Sequence, residues 1–290
     1  MVERLGIIGG GQLGRFLTLA AGELGVETIV VDPTPDCPAS AVGARQIVAD
    51  YDDPEAVRHL TRLVPVVTFE IERGPLDVLR TAPCRVVPAV EALRRVVDVP
   101  ISVDTTKAEV ARQALRAGAD MVNDISALRH DPDMVRVVAD SGCGVVLMHM
   151  KGTPQDMQRD PRYEDVVAEV RDFLAERVQW AERHGIPRDR ILVDPGFGFG
   201  KRPEHNLELV RNLRAFRELG CPVLLGPSRK STIGVILGGL PPAERVEGTA
   251  AVVALAVASG VDVVRVHDVR AMARVVRVAD AVVRGWAPDR

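Results

Sequence analysis

Residues 191–201 read Ile191-Leu192-Val193-Asp194-Pro195-Gly196-Phe197-Gly198-Phe199-Gly200-Lys201. An aliphatic run ends in an acid, and the loop after it alternates three glycines with two phenylalanines. The run predicts a buried strand over Ile191–Asp194, because strands covered on both faces read as short unbroken aliphatic stretches. The glycines leave the loop free to bend, and the phenylalanines give it an aromatic face. The loop lacks the Gly-Lys-Ser/Thr ending of a P-loop, so it is not read as a nucleotide site. Upstream, Val166, Val167, Val170, Phe173, Leu174, Val178 and Ala181 recur at helical spacing within Tyr163–His184, and Gly185 is a natural stop. A helix feeding a short buried strand is the repeating unit of an α/β fold.

Working outward, the same alternation predicts ten strands. They are Leu5–Ile8, Thr28–Asp32, Gln46–Ala49, Val66–Phe69, Ile101–Asp104, Met121–Asp124, Val145–His149, Ile191–Asp194, Val223–Gly226 and Val263–His267. From Val99 onward the strands end in polar residues: Asp104, Asn123 with Asp124, His149, Asp194, Ser228-Arg229-Lys230, and Arg265 with His267. A β/α barrel builds its active site from the C-terminal ends of several strands at once. Arg265 and His267, two apart, point to one side of their strand. Asn and Asp side chains together match a heterocycle that offers donors and acceptors, with Asp194 pairing an amino-pyrimidine edge. Lys230 and Arg265 supply charge for an anionic leaving group, and His267 adds a donor. Ten strands are two more than one barrel needs.

Composition bounds the remaining classes. The 290 residues carry a net charge of −3, and no basic run points to nucleic acid. Aromatic residues make up only 3%, so Val, Leu, Ile and Ala must build the core. Cys37, Cys84, Cys143 and Cys221 lie far apart with no metal-ligand spacing, so reduced thiols in a cytoplasmic protein are expected. No stretch reaches about 18 uninterrupted apolar residues, which gives no membrane span. Lysine occurs only at Lys107, Lys151, Lys201 and Lys230 in a chain otherwise reliant on arginine. Each lysine therefore marks a place where a compact ammonium can matter.

The N-terminus has its own motif. Gly9-Gly10-Gly11-Gln12-Leu13-Gly14 follows the first strand and opens a helical pattern, and the second strand ends at Asp32. Gly9, Gly11 and Gly14 are a candidate phosphate loop, with Asp32 placed to take ribose hydroxyls of a nicotinamide dinucleotide. Glycines at a first turn also serve tight packing alone. The segment resembles the front of 5-(carboxyamino)imidazole ribonucleotide synthase, an ATP-grasp enzyme of purine synthesis with a Rossmann-like first domain. The resemblance rests on Gly9–Arg15, on Val31-Asp32-Pro33-Thr34-Pro35-Asp36-Cys37-Pro38-Ala39, on Val48–Asp53 and on Val67-Thr68-Phe69-Glu70. Where that family continues Phe-Glu-Asn-Val-Pro, this chain has Ile71-Glu72-Arg73-Gly74-Pro75, and no ATP-grasp domains follow.

The larger part resembles dihydropteroate synthase. The motifs are Ile101-Ser102-Val103-Asp104-Thr105-Thr106-Lys107, Val122-Asn123-Asp124-Ile125-Ser126, Leu147-Met148-His149-Met150, Val193–Lys201, Ser228-Arg229-Lys230 and Arg265-Val266-His267-Asp268. The resemblance implies a transferase of folate biosynthesis. Such an enzyme joins hydroxymethyl-dihydropterin pyrophosphate to p-aminobenzoate with Mg2+, as a homodimer. Carried over by motif, Asp104, Asn123, Asp194 and Lys230 hold the pterin, and Met148, Phe199 and Gly226 line its pocket. Ser231 lies beside p-aminobenzoate, and Lys230, Arg265 and His267 are the catalytic and pyrophosphate-binding candidates.

That family opens its barrel with Leu-Asn-Val-Thr-Pro-Asp-Ser-Phe-Ser and then Asp-Val-Gly-Gly-Glu-Ser-Thr-Arg-Pro-Gly. Neither stretch occurs here, so the metal-associated asparagine and the Thr-Arg pair are missing, and no metal-ligating residue is assigned. The expected fold is α/β: an incomplete or rebuilt TIM-type β/α barrel of six family strands, preceded by a Rossmann-like βαβ segment. The expected division is 1–80, a junction at 81–98, and 99–290. Two alternatives stand beside the transferase: a pterin-binding chimera with little or no catalysis, and a remnant of the purine enzyme.

Overall fold

Aliphatic strand residues decide the architecture. Val145, Val146, Leu147 and Met148 are all buried, so this strand is covered on both faces, as parallel strands between helices and a filled interior must be. The computed structural model describes residues 4–51, 53–64, 66–69, 86–154 and 156–286. All ten expected strands form: β1 Arg4–Ile8, β2 Glu27–Asp32, β3 Arg45–Val48, β4 Val66–Phe69, β5 Ser102–Asp104, β6 Met121–Asp124, β7 Gly144–Met148, β8 Ile191–Asp194, β9 Leu224–Leu225 and β10 Val263–Val264. The last two are shorter than the sequence suggests, and Arg265 and His267 fall in the loop after β10. The chain divides into two units, one reaching to Val99 and taking in Arg116–Gly118, the other formed by the rest.

In the N-terminal unit, four parallel strands lie in the order β3-β2-β1-β4. Helices α1 (Gln12–Glu23) and α2 (Pro54–Leu63) follow β1 and β3. Asp53 caps α2 by accepting from the Glu55 and Ala56 amides, with Pro54 at the first helical position. One face of the sheet packs Ile8, Ile29 and Val31 on Val57 and Leu60. The other face packs Ile7 and Val30 on Cys37 and Ala39. This is the Rossmann-like arrangement expected. Strands β1 and β2 each have both edges paired within this sheet, so neither is available to extend another one. Helix α3 (Val86–Arg94) occupies part of the stretch between the two resembled families. Pro88 sits in its first turn, where the missing N–H has no intrahelical partner to lose. Pro75, Pro83 and Glu70 lie outside the described residues, as does Cys84.

The larger unit runs β5-β6-β7-β8 in parallel, and a bridge from Val193 to Val223 passes the series on to β9 and β10. Six strands therefore follow one another in chain order. Among the described residues, helices α4 (Ala108–Arg116), α5 (Met134–Ser141), α6 (Val166–Arg183), α7 (Pro203–Arg211), α8 (Arg214–Arg217), α9 (Ser231–Ile236), α10 (Val246–Ala258) and α11 (Val269–Arg284) accompany them. Asp165 caps α6 through the Val167 and Ala168 amides, which starts the helix at Val166, the first apolar position of the pattern. Val166, Val170, Leu174, Val178 and Ala181 form its buried face, as the spacing predicts. They pack with Leu147, Val193, Leu209 and Phe216 in one core.

Parallel register fixes which residues meet at the C-terminal edge. Asp104 lies opposite Asn123, and Met148 opposite Asp194. Because Leu147 is wholly buried in this core, Leu147→Ala should destabilise the chain by about 2–5 kcal/mol. Urea denaturation should show a lower midpoint with the same slope.

Candidate active site

The loop after β8 owes its shape to glycines. Gly196 has φ +71°, and a Cβ there would lie 1.9 Å from the His149 carbonyl oxygen, so no other residue lets the loop rest on the end of β7 this closely. Its amide donates to Asp194 Oδ1 at 2.7 Å. Asp194 is buried, and its own carbonyl accepts from the His149 amide. Burial pushes its carboxyl up, against the opposing pull of Lys230, the Gly196 amide and Lys201.

Around Asp194 opens a pocket at the C-terminal strand ends. Asn123, Met148, Asp194, Phe199, Gly226, Lys230, Arg265 and His267 all line it, joined by Ile125, Ser228 and Val266. Asp104 stands at its margin. Asp104 Oδ2 accepts from Asn123 Nδ2 at 3.0 Å and pairs with the Arg265 guanidinium at 2.9 Å. Asp104 ends β5 and Arg265 follows β10, so the first and last of the six strands are joined at their tips by this ion pair. Ser231 is not in the lining; it is the exposed first residue of α9.

Lys230 Nζ donates to the Phe197 carbonyl and lies 4.4 Å over the Phe199 ring. Burial brings its ammonium down to about 8, while Asp194 works in the other direction. At the far side of the pocket, the His267 amide donates to Ser228 Oγ at 3.2 Å, and His267 Nδ1 lies 2.9 Å from the same oxygen. Burial lowers the ring's basicity first, followed by Arg229. A neutral ring accepting the Ser228 hydroxyl at Nδ1 carries its proton on Nε2, where it is a donor. Arg229, held in the left-handed region at φ +59°, makes a two-pronged pair with Asp268 at 3.0 and 2.6 Å. That pair turns Arg229 away from a ligand role and braces the segment bearing Ser228 and Lys230.

Asp124 ends β6 as expected, and His149 follows directly on β7, which stops one residue short of the expected strand end, yet both serve the frame. Asp124 is wholly buried and accepts from the Ser126 amide and hydroxyl and from the Leu128 amide. Burial raises its carboxyl, and those bonds oppose the rise. Buried Arg177 donates to the Ala127 carbonyl at 3.0 Å and locks the same turn. Burial first, and Lys201 second, bring His149 down to about 2, which keeps it neutral.

The N-terminal glycines form a turn whose contacts are internal. A Cβ on Gly10 would lie 2.3 Å from Cys37 Sγ, so tight packing accounts for that glycine. Gly11 caps α1, the Gly9 amide donates to the Val31 carbonyl, and the Gly14 carbonyl accepts from Thr18 Oγ1. Asp32 does not present a free carboxylate to a ribose. It accepts from the Gly10 amide at 2.7 Å, the Thr34 amide at 2.8 Å and the Tyr51 hydroxyl at 3.2 Å. A ribose at Asp32 would have to compete with these three donors.

Sequence reasoning did not assign Ile125 or Val266, whose aliphatic side chains look like any core residue. Ser228 was visible as a strand-end polar group, and its bond to His267 is the signal that gives it a part in the site.

The pterin binding enzyme family model matches residues 78–267. The chain belongs to that family. A second model, the ribonucleotide synthetase preATP-grasp domain, matches residues 2–97. Among curated relatives of this pterin-binding chain, dihydropteroate synthase of Synechocystis is 50% identical over 200 residues, 69% of either chain. That of Escherichia coli is 43% identical over 197 residues, 68% of this chain and 69% of its own. Among solved structures, dihydropteroate synthase of Xanthomonas albilineans in complex with 7,8-dihydropteroate matches at TM-score 0.66 and 44% identity. It covers 79% of this chain and 84% of its own. The Thermus thermophilus enzyme in complex with 6HMPPP matches at TM-score 0.67 and 35% identity, covering 97% of this chain and 93% of its own. The pterin-binding fold is thus the TIM-barrel-like α/β class.

Lys230 and Lys201, brought down to about 8 and about 7, both have folded values below the ordinary lysine range. The unfolded chain therefore binds more protons between those values and the ordinary one. The stability these lysines lend is present above the ordinary lysine value and is lost as pH falls toward 8 and 7. Urea unfolding of the wild type should give a stability increment between pH 7 and 8.5 that is smaller in Lys230→Met.

Proposed function

We propose that this chain is a dihydropteroate synthase-type transferase of folate biosynthesis, acting on hydroxymethyl-dihydropterin pyrophosphate and p-aminobenzoate. One observation carries the reading. A buried Asp194 and Asn123 share a pocket with Lys230, Arg265 and His267, so a hydrogen-bonding heterocycle and an anion can be held side by side. Asp194 and Asn123 read the pterin edge, with Asp104 beside them. Met148, Phe199 and Gly226 make the walls. Arg265, His267 and Ser228 face the pyrophosphate, and Lys230 lies between the two ends. Ser231 lies toward p-aminobenzoate. The amine nitrogen of p-aminobenzoate forms a bond to the hydroxymethyl carbon as the carbon–oxygen bond breaks. The electron pair leaves on pyrophosphate, and the amine proton passes to solvent. Arg265 and the His267 Nε2–H stabilise the departing charge.

Magnesium is implied by the family resemblance. Among the described residues no three His, Cys, Asp or Glu side chains gather to hold a metal. Asp104 is bound to Arg265 and Asn123, and Asp194 to Gly196. The donors at the anion end are cationic or neutral. The residues present therefore do not fit a protein-held magnesium ion.

A second reading is favoured by the sequence itself. The two opening motifs of the family barrel are absent, and the front of the chain, divided from it near 81–98, belongs to the purine-enzyme resemblance. On that reading the protein binds pterin and turns over slowly or not at all. Losing even one group that stabilises departing charge costs roughly 10²–10³ in rate. A homodimer is part of the proposal, supported by Val278 and Val282, exposed one turn apart on α11. Among the described residues no helix is long and apolar enough to cross a membrane, which suits the proposed cytoplasmic setting.

The test is turnover of the pterin pyrophosphate with p-aminobenzoate and magnesium, alongside calorimetric binding of the pterin on the same sample. Turnover supports the transferase, and binding without turnover supports the second reading. If the folded protein does neither, the pterin assignment is wrong. Asp194→Asn should weaken pterin binding by about 10- to 100-fold, the worth of a charged hydrogen bond. Sedimentation should show a dimer that Val278→Glu with Val282→Glu converts to monomer.

A further inference from the structure

Lys201 is one of only four lysines, is 3% exposed, and does not line the pocket. Its Nζ lies 2.9 Å from His149 Nδ1, 3.0 Å from the Gly196 carbonyl oxygen and 3.0 Å from the Phe199 carbonyl oxygen. An ammonium has three N–H donors, so these three acceptors satisfy it completely. Burial keeps the His149 ring neutral, and in the tautomer with its proton on Nε2 the ring accepts at Nδ1. A guanidinium, planar and carrying five N–H groups, cannot occupy this compact three-point site, which accounts for a lysine in an arginine-rich chain.

The acceptors belong to two segments, the end of β7 and the loop after β8. Lys201 therefore fastens the loop to the strand it lies against. Other groups hold other parts of that loop. The Gly198 carbonyl accepts from Gln158 Nε2, the Gly198 amide donates to Asn206 Oδ1, and the Gly200 carbonyl accepts from the Tyr163 hydroxyl. Gly196 and Phe199 have no side-chain donor at their carbonyls other than Lys201 among the described residues. The same loop offers the Phe199 ring and the Phe197 carbonyl to Lys230.

We propose that Lys201 is a positioning residue for the pocket: by fixing the carbonyls of Gly196 and Phe199, it sets where Phe199 and Lys230 stand against the bound ligand. The proposal rests on the reading of this pocket as a pterin site. It adds a residue that acts without touching the ligand.

The test is a double-mutant cycle on binding of 6-hydroxymethylpterin, measured by calorimetry at 15 °C on wild type, Lys201→Met, Phe199→Ala and the double variant. Circular dichroism first establishes that each is folded. Lys201→Met should weaken binding about tenfold, and the double variant should be within about twofold of the weaker single one, because both remove the same contact. A Lys201→Met affinity within twofold of wild type, as expected if Lys201 served stability alone, overturns the proposal, and so do losses that multiply, as they would if Lys201 and Phe199 acted on binding independently. If Lys201→Met does not fold, His149→Leu, which removes one acceptor only, replaces it in the cycle with the same criteria. Hydrogen exchange provides a readout without ligand. The amides of residues 196–200 should exchange faster in the variant while those of β7 and α6 keep their protection. Unchanged exchange overturns the proposal even if the wild type binds no pterin, whereas faster exchange with no wild-type binding sinks only the pterin reading.

Discussion

A carboxylate buried at the end of a parallel strand must be compensated, and most of the larger unit's mouth follows from how Asp194 is compensated. Its Oδ1 takes the Gly196 amide, which only a glycine in the left-handed region can deliver so close to His149. It also attracts the two lysine ammoniums that lie nearest the pocket. One of these holds the loop from below and the other faces the opening. Remove the carboxylate and two buried cations lose their counter-charge. Remove the glycine and the loop lifts from the strand. Charge, backbone conformation and the aromatic wall are thus one arrangement, because in a low-dielectric interior an unpaired member costs several kcal/mol.

The strands beneath this arrangement supply precision. Parallel pairing places Asp104 beside Asn123 and Asp194 beside Met148 without any side-chain choice being needed. The braces come from residues outside the pocket lining. Asp124 and Arg177 hold the turn after β6, and Asp268 holds Arg229 beside Lys230. A site placed on strand ends and braced from behind keeps its geometry with little reorganisation on binding, which is what electrostatic stabilisation of a departing anion requires.

Much of this was legible in the chain. All ten strands follow from aliphatic runs, and the buried face of α6 follows from its spacing. Asn123, Asp194, Ser228, Lys230, Arg265 and His267 were reachable because polar side chains closing a strand in a barrel have few other places to point, whereas Met148, Phe199 and Gly226 came through the family resemblance. The limits are equally physical. Asp32 and the glycine turn carry the spacing of a dinucleotide site, and spacing does not say that Tyr51 and two amides already occupy the acid. His149 and Asp124 look like ligand groups until burial and partners are known. Ile125 and Val266 carry no chemical label at all. Strand lengths at β9 and β10 were overestimated because an aliphatic pattern continues where ladder pairing stops.

The ion pair from Asp104 to Arg265 joins the tips of the outermost strands by side chains, where adjacent strands elsewhere are joined by backbone. Its members are largely exposed, at 42% and 64%, so salt screens it, whereas ladder hydrogen bonds are hardly touched. The floor of the pocket is then rigid while its perimeter is compliant, like a cup with a drawstring. Ionic strength acts on the aperture and leaves the fold alone.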